Sequence, residues 1–517
     1  MRKIIYYLLL SLLFLYKQGQ AQTQSRMLDF NNVSAKITNQ GSLFWDGVSS
    51  KFTVPKNSNK STVFAASPWI AGTSNNQLHL MAEVYRQNGR DLIQGPVSTS
   101  NTGPFLVYWN KIWVVSKTDI QVFRSTINAG QTPDANTYKD ILEWPARGNV
   151  YGKDTLNDYA PFVDVNNNNK YEPLSGDYPL IKGDISTFSM MNDNVNHTES
   201  LGLPLKVQIN RMVYQYKNST LDNTLFVDYL VTNKSINTYD SLFFSTWVDF
   251  DLGNSTDDYI ATDSVRNMIY AFNGDDDDDG IMGYGTTPPA QACVVLNEPL
   301  WSSMYYSNTN SAVMGNPNTP ADYYNYMKGM WMDGTPKTGS GTGHNSTGAI
   351  TKFSFAGNPC EKTGWWEGGS NIEPGDRRIL ASITPRTLQP DESFNVTMAF
   401  VYARAESGDN IASVCALNTA VDSVKAWYKN NTGTGITEVL RKPVFTIYPN
   451  PAKQEITIDG DGIKGAELAI YNITGKKMKT ITVGELTKIA VNDLPAGVYI
   501  VQLTTDKGAS TQRLIVE

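Results

Sequence analysis

Three long runs in which apolar and polar residues alternate constrain the fold of this chain most strongly. They cover 205–216, 225–231 and 242–250, and turn-forming residues separate them at 218–223 and 233–239. A period of two places successive side chains on opposite faces of a strand. We therefore predict an antiparallel meander with one buried face and one solvent-exposed face.

Further strand signals precede and follow these runs. Stretches rich in β-branched and aromatic residues lie at 51–55, 61–69, 78–85, 112–115, 120–123 and 382–403. Such residues favour strands. We predict a mainly β protein, with one or more antiparallel β-sandwich domains and few helices.

One segment near residue 410 has the period of a helix. Asp409 is placed to cap its start, and Lys425 and Lys429 lie near its end, where cations interact favourably with the helix dipole. The predicted buried face consists of Ile411, Val414, Cys415, Val421, Val424 and Tyr428. On this interpretation, Cys415 packs in the core.

Residues 443–517 contain a separate set of strand signals. Apolar and polar residues alternate around Ile456, Leu468 and Leu514, and turn residues lie at 460–462, 474–475 and 496–497. Short alternating strands with frequent turns predict a small C-terminal Ig-like β-sandwich. A segment of this length can form a core of its own, though a marginal one.

Three blocks of this segment resemble a known family. They are Tyr448-Pro449-Asn450-Pro451-Ala452, residues 470–476 and residues 494–499. The segment resembles the type A C-terminal sorting domain of Bacteroidota cargo of the type IX secretion system. The resemblance implies that residues 443–517 bind the type IX secretion machinery. It also implies cleavage of the tail, after which the cargo is released or attached to surface lipopolysaccharide.

The start of the chain fits the same route. Arg2 and Lys3 precede an apolar stretch at 4–16, and small residues at 19–21 form a cleavage site, so residues 1–21 are predicted to be a signal peptide. The apolar stretch is too short for a permanent membrane anchor. We expect passage through the periplasm and a secreted or outer-surface location.

The predicted organisation has five parts. A signal peptide (1–21) precedes an N-terminal β-rich region with an Asp/Asn loop (22–200). A β-sandwich region ending in a helix (201–429) follows, and a linker (430–442) leads to the sorting domain (443–517).

Blocks in the middle of the chain also resemble other proteins. Those at 44–46, 69–72, 160–166, 176–179, 257–259 and 375–378 are similar to blocks in large secreted Bacteroidota proteins that have no established activity. The resemblance covers most of residues 40–430. It implies a class of protein and no particular chemistry.

The net charge and the few His and Cys residues argue against some classes of function. The net charge is −7 without a basic cluster, which argues against nucleic acid as a partner. The three His residues are far apart in sequence, which disfavours a His-based zinc site. The three Cys residues allow one disulfide and leave one thiol over: Cys293, Cys360 and Cys415.

Oxygen-bearing residues recur in one loop at the spacing of a calcium-binding loop. Asn169 stands where Gly is usual and Ser175 where a bidentate Glu is usual, and Asp177 could substitute from the following turn. The alternative is an Asx-rich turn held by its own hydrogen bonds. We predict Ca²⁺ with a ligand set of Asp164, Asn166, Asn168, Lys170 (through its carbonyl), Glu172 and Asp177.

A second, weaker set of candidate metal ligands is Asp249, Asp251, Asp257 and Asp258. Carboxylates gathered at one place repel one another unless a cation or an Arg neutralises them. The sequence therefore leaves two interpretations of these acids, a bound metal ion and a solvated loop. The acidic run 275–279 is predicted to be a mobile, solvated loop, because consecutive acids cannot all face one way.

Motifs of catalysis are missing from the sequence. It contains no GxSxG elbow and no Walker loop. We expect a non-enzymatic binding, adhesion or structural surface protein. The alternative is a polysaccharide-binding protein or a glycoside hydrolase, since two distant carboxylates would suffice. The aromatic clusters 323–326 and 365–366 would stack on a glycan if exposed, or belong to the core if buried.

Overall fold

The structure is a computed structural model that describes residues 24–85, 89–98, 103–149, 159–432, 445–460, 463–472, 475–484, 486–505 and 508–517. The described chain is mainly β, as predicted. The predicted signal peptide and most of the predicted linker lie outside these ranges. The chain divides into two compact units between Trp427 and Tyr428. Within the described ranges, no helix is both long and apolar enough to span a bilayer.

Within the described residues, the larger unit contains twenty-two strands. They are β1 (Ser25–Leu28), β2 (Ser34–Thr38), β3 (Phe52–Thr53), β4 (Val63–Ser74), β5 (Gln77–Ala82), β6 (Ile93–Gln94), β7 (Trp113–Ser116), β8 (Phe162–Val163), β9 (Tyr178–Pro179), β10 (Ile185–Asn192), β11 (Val207–Gln215), β12 (Thr224–Asn233), β13 (Tyr239–Phe250), β14 (Asp258–Asp263), β15 (Met268–Asn273), β16 (Asp277–Asp278), β17 (Gly285–Thr286), β18 (Ala290–Val295), β19 (Leu300–Ser307), β20 (Arg377–Ile383), β21 (Arg386–Leu388) and β22 (Ser393–Ala403).

The described helices are α1 (Gly103–Trp109), α2 (Lys117–Asn128), α3 (Lys139–Leu142), α4 (Pro320–Met327) and α5 (Asn410–Thr432). Short 3₁₀ turns lie at Pro173–Ser175, Pro359–Glu361 and Gly368–Ser370.

Two large antiparallel sheets build the core of the larger unit. One has the order β14-β15-β18-β22-β12-β11-β10-β6, with β7 also paired to β10, and the other has the order β19-β20-β13-β4-β5, with β21 paired to β13. Phe244 of β13 packs against Tyr229 of β12 and Phe394 of β22, at ring-centroid distances of 5.7 and 6.1 Å. The inner faces of the two sheets therefore meet as in a β-sandwich.

The three alternating runs form strands, but they do not form the predicted meander. β11 pairs with β12, whereas β13 crosses to the other sheet and pairs with β4 and β20. The prediction of a solvent-exposed face is also wrong, because every residue of β11 is buried. β4 and β10 come from region 22–200 and pair with β13 and β11 of region 201–429, so both regions share one core.

One predicted strand is a helix. Residues 120–123 lie within α2, whose N-cap Ser116 accepts a hydrogen bond from the backbone N–H of Asp119 while the Asp119 carboxylate accepts one from the backbone N–H of Ser116. This capping box satisfies the free N–H groups at the helix start. Residues 120–123 alternate as a strand does, but the capping residues Ser116 and Asp119, just before them, favour a helix.

The helix near residue 410 is confirmed. The Asp409 carboxylate accepts a hydrogen bond of 2.8 Å from the backbone N–H of Ala412, as an N-cap does. Cys415, however, was wrongly predicted to pack in the core. It is half-buried and bonded to Cys360, with the two Cα atoms 5.8 Å apart, and Cys293 is buried and free.

The smaller unit is a compact β domain with its own core. Its strands are β23 (Thr446–Tyr448), β24 (Glu455–Asp459), β25 (Glu467–Asn472), β26 (Lys477–Thr482), β27 (Leu486–Ala490), β28 (Gly497–Thr505) and β29 (Gly508–Val516). They form two sheets, β23-β24-β27 and β26-β25-β28-β29. Ile456, Leu468 and Leu514 are fully buried, which confirms the alternation predicted for this segment.

Candidate metal centre

The predicted calcium loop lies between two short paired strands. β8 pairs with β9, so the loop 164–177 is closed at its base. The Asp164 carboxylate lies inside the curl, where it accepts hydrogen bonds from the backbone N–H groups of Asn169 (2.6 Å) and Asn168 (3.3 Å). Asn167 and Asn169 adopt left-handed backbone angles (φ 58° and 63°), which Asn tolerates better than most residues.

Side chains of the same loop hold one another in place. The Asn166 and Asn168 amide oxygens accept from the backbone N–H groups of Asn168 (3.0 Å) and Lys170 (2.9 Å). Their amide nitrogens both donate to the Glu172 carboxylate. These hydrogen bonds, first from Asn168 and then from Asn166, lower the pKa of Glu172.

Asp177 is fully buried and ties the two ends of the loop together. Its carboxylate accepts from the backbone N–H groups of Val165 and Glu172, each at 2.8 Å. The predicted loop residues therefore lie together, in the hydrogen-bonded arrangement of an Asx-rich turn. The side-chain oxygens of Asp164, Asn166 and Asn168 all accept hydrogen bonds from backbone N–H groups of the loop, and calcium remains a prediction for it.

The acidic cluster near residue 250 contains an arginine that the sequence did not reveal. Arg378 lies 2.9 Å from Asp249, also pairs with Asp376, and donates to the Tyr85 hydroxyl at 2.8 Å. One carboxylate oxygen from each of Asp249, Asp251 and Asp376 lies within 4.8 Å of the other two. The arginine thus supplies positive charge at the Asp249 side of the cluster.

The other predicted acids lie between the end of β13 and the first residue of β14, Asp258. Asp258 is 2% exposed and accepts a 2.9 Å hydrogen bond from the backbone N–H of Leu252. Asp257 accepts a 3.0 Å hydrogen bond from the amide nitrogen of Asn254. Burial raises the pKa of Asp257, and raises the pKa values of Asp251 and Asp258 well above the usual range for a carboxyl.

Asp278 belongs to the same neighbourhood, and it alone departs from the solvated loop predicted at 275–279, since Asp275, Asp276, Asp277 and Asp279 are exposed. It is 1% exposed, lies on β16, and accepts from the backbone N–H groups of Asn254 (3.0 Å) and Tyr284 (2.7 Å). Its neighbour Asp277 is exposed, because adjacent residues of a strand face opposite ways. Burial raises the pKa of Asp278 to about 6. No local sequence signal separates Asp278 from the other acids of the run.

A small polar cavity lies beside Arg378. Its volume is about 200 Å³, and its lining includes Tyr85, Glu199, Trp247, Asn316, Tyr323 and Arg378. Of the two aromatic clusters singled out in the sequence, Tyr323 and Tyr326 are buried, while Trp365 and Trp366 are half-buried and pack against the core. The core interpretation therefore describes both clusters, although Tyr323 also reaches the cavity.

The smaller unit matches a known protein family. Residues 446–517 match the family described as the secretion system C-terminal sorting domain. The tail is a sorting domain. The chain is therefore a cargo protein of the type IX secretion system, exported to the cell surface or beyond. The prediction that the tail is a secretion-system sorting domain and the predicted location at the cell surface or beyond are confirmed.

Comparisons of the whole chain are less informative. No curated protein matches the sequence of this cargo protein. A polysaccharide lyase is similar at 9% identity and a TM-score of 0.21, over 60% of this chain and 34% of the lyase. A protein described as a candidate aldose 1-epimerase from Escherichia coli K12 is similar at 9% identity and a TM-score of 0.27, over 74% of this chain and 100% of the other. Likenesses this weak carry no argument about function.

Proposed function

We propose that this type IX cargo protein is a non-enzymatic binding, adhesion or structural protein of the outer cell surface, with a calcium-stabilised loop at 164–177. The sorting domain engages the secretion machinery. After its removal, the remainder is released or held by surface lipopolysaccharide. The observation that supports the calcium site is that the loop curls around the Asp164 carboxylate, which accepts hydrogen bonds from the backbone N–H groups of Asn168 and Asn169.

Calcium suits the chemistry of this loop. It takes six to eight oxygen ligands in flexible geometry and accepts carboxylates, amide oxygens and backbone carbonyls together. Asp164, Asn166, Asn168 and Glu172 supply the first two kinds, and Lys170 supplies a carbonyl. Asp177, bonded to both ends of the loop, positions the array. Extracellular modules bind calcium at about 10⁻⁴–10⁻³ M, a range that a loop without the bidentate Glu can reach.

Thermal unfolding with and without calcium tests this role. Calcium should raise the melting temperature of the wild type, and Asp164→Ala should lose the part of the rise that the loop contributes. Val165→Ala is the matched control, because that side chain is half-exposed and carries no oxygen. A calcium response of Asp164→Ala equal to that of the wild type would contradict the role of the loop.

A glycan-directed function is the second candidate, and the cavity beside Arg378 favours it. Its walls carry a carboxylate (Glu199), hydroxyl groups (Tyr85, Tyr323) and an amide (Asn316), which are groups that bind sugar hydroxyls. A glycan array and a reducing-sugar assay distinguish the possibilities. Binding without cleavage indicates a polysaccharide-binding protein, and cleavage that Glu199→Gln abolishes indicates a glycoside hydrolase. Failure of both assays rejects this candidate.

A further inference from the structure

We propose that residues 449–452 form a strap over the outer edge of β29, and that Asn450 is the residue that holds the strap in place. The strap keeps the sorting domain from pairing edge to edge with β29 of a second copy of this chain. This inference concerns the tail alone, and it does not depend on calcium binding or on a glycan ligand.

β29 is the last strand of its sheet, so a neighbouring strand pairs with one of its two edges and not with the other. The sheet order is β26-β25-β28-β29, and β28 pairs antiparallel with β29 along its whole length. The backbone N–H and C=O groups of alternate residues of β29 therefore point away from β28. Such an outer edge is a template to which a strand of another chain can add.

The side chain of Asn450 takes the place of a neighbouring strand at two residues of this edge. Its amide nitrogen donates to the backbone carbonyl of Arg513 at 2.7 Å, and its amide oxygen accepts from the backbone N–H of Ile515 at 2.9 Å. A carboxamide carries both a donor and an acceptor, as a peptide group does. One side chain therefore satisfies backbone groups that another strand would otherwise use.

Ala452 continues the strap along the same edge. Its backbone N–H donates to the carbonyl of Ile515, and its carbonyl accepts from the backbone N–H of Glu517, each at 2.8 Å. Its side chain is buried and belongs to the hydrophobic core of the smaller unit. The strap is therefore anchored by burial at Ala452 and by side-chain hydrogen bonds at Asn450.

The two prolines of the strap prevent it from becoming a new edge. Pro449 and Pro451 have no N–H group, so they cannot donate to a further strand. The opposite edge of the sheet has a protection of another kind, because β26 carries Lys477 and Lys479 and its pairing with β25 contains a register shift. Edge lysines and irregular pairing both oppose strand addition.

The composition of β29 does not itself oppose pairing with another strand. The strand is nine residues long, contains no proline and carries one charged residue, Arg513. A strand with β-forming residues and little charge is prone to edge-to-edge association. Every copy of this chain brings the same strand, and two identical edges can pair about a two-fold axis. A second copy is therefore the partner that the strap excludes.

Sedimentation velocity on the chain with its tail tests the strap. Asn450→Ala removes both side-chain hydrogen bonds to β29, so dimers and larger species should form at a concentration about tenfold lower than in the wild type. Asn492→Ala is the matched control, because Asn492 is exposed in the same unit and its side chain makes no hydrogen bond within the described residues. Association of Asn450→Ala at the wild-type concentration would overturn the proposal.

A second substitution separates edge pairing from a general loss of stability. Thr511 is exposed on β29, and because it lies two residues before Arg513 its N–H points to the same outer edge. Thr511→Pro removes that N–H without removing a bond to β28, so Asn450→Ala/Thr511→Pro should return to the wild-type association. Circular dichroism verifies that each variant is folded. A double variant that associates as strongly as Asn450→Ala would assign the association to destabilisation and overturn the proposal.

Discussion

Arg378 of β20 stands directly opposite Asp249 of β13 in the strand register, and the two side chains form a 2.9 Å ion pair while only 3% and 1% exposed. Removing one partner of a buried pair leaves the other charge without compensation. We expect Arg378→Leu to lower the free energy of unfolding by about 3–5 kcal/mol in denaturant titrations. The double variant Asp249→Leu/Arg378→Leu should recover part of that loss. A single-variant loss below about 1 kcal/mol, the value of an exposed ion pair, would contradict the compensation of buried Asp249 by Arg378.

The second prediction concerns pH and Glu83. Burial raises its pKa to about 8, against 4.5 for an ordinary Glu, and nearby Asp91 and Glu199 add to the effect while hydrogen bonds from the backbone N–H groups of Leu92 and Asp91 oppose it. The folded state then holds a proton that the unfolded state releases. Stability from this group is complete below pH 4.5 and is lost as the pH rises to about 8, by up to about 5 kcal/mol.

Glu83→Gln directly tests this decline of the unfolding free energy with rising pH. The amide oxygen can still accept the hydrogen bonds that Glu83 Oε1 receives from the backbone N–H groups of Asp91 (2.9 Å) and Leu92 (2.8 Å). We expect the variant to lose part of the decline in unfolding free energy between pH 5 and 8. A variant whose pH profile parallels that of the wild type would mean that Glu83 does not titrate there.

The third prediction concerns the disulfide between Cys360 and Cys415. It spans 55 residues, and closing a loop of that length in the unfolded chain is worth about 4 kcal/mol. Cys360→Ser/Cys415→Ser should therefore unfold at a lower denaturant concentration. Reductant should weaken the wild type and leave the double variant unchanged. An equal response of both proteins to reductant would assign the effect to another group.

The fourth prediction concerns the sorting domain. The larger unit and the tail have separate hydrophobic cores. Deleting residues 443–517 should therefore leave the remaining protein folded, as judged by circular dichroism, but retain it in the periplasm. Cell fractionation measures the location. Truncated protein in the culture medium would refute the role of the tail in export.

Local patterns in the sequence decided much of the fold. Alternation predicted the strands around 205–250 and in the tail, because burial on a pleated strand acts at a period of two. The helix after Asp409 and its cap followed from a 3.6-residue period and one side chain. The family of the tail followed from three short blocks, which lie within a single compact unit.

Tertiary structure alone decided how the strands and charges meet. The crossing of β13 to the opposite sheet depends on pairing with β4 and β20, which are distant in the chain. For the same reason, the sequence could not place Arg378 opposite Asp249, Cys360 beside Cys415, or Asp278 among the acids of the loop 251–258. Side-chain periodicity is a local property, whereas charge neutralisation and disulfide bonding depend on distances that only the packed sheets determine.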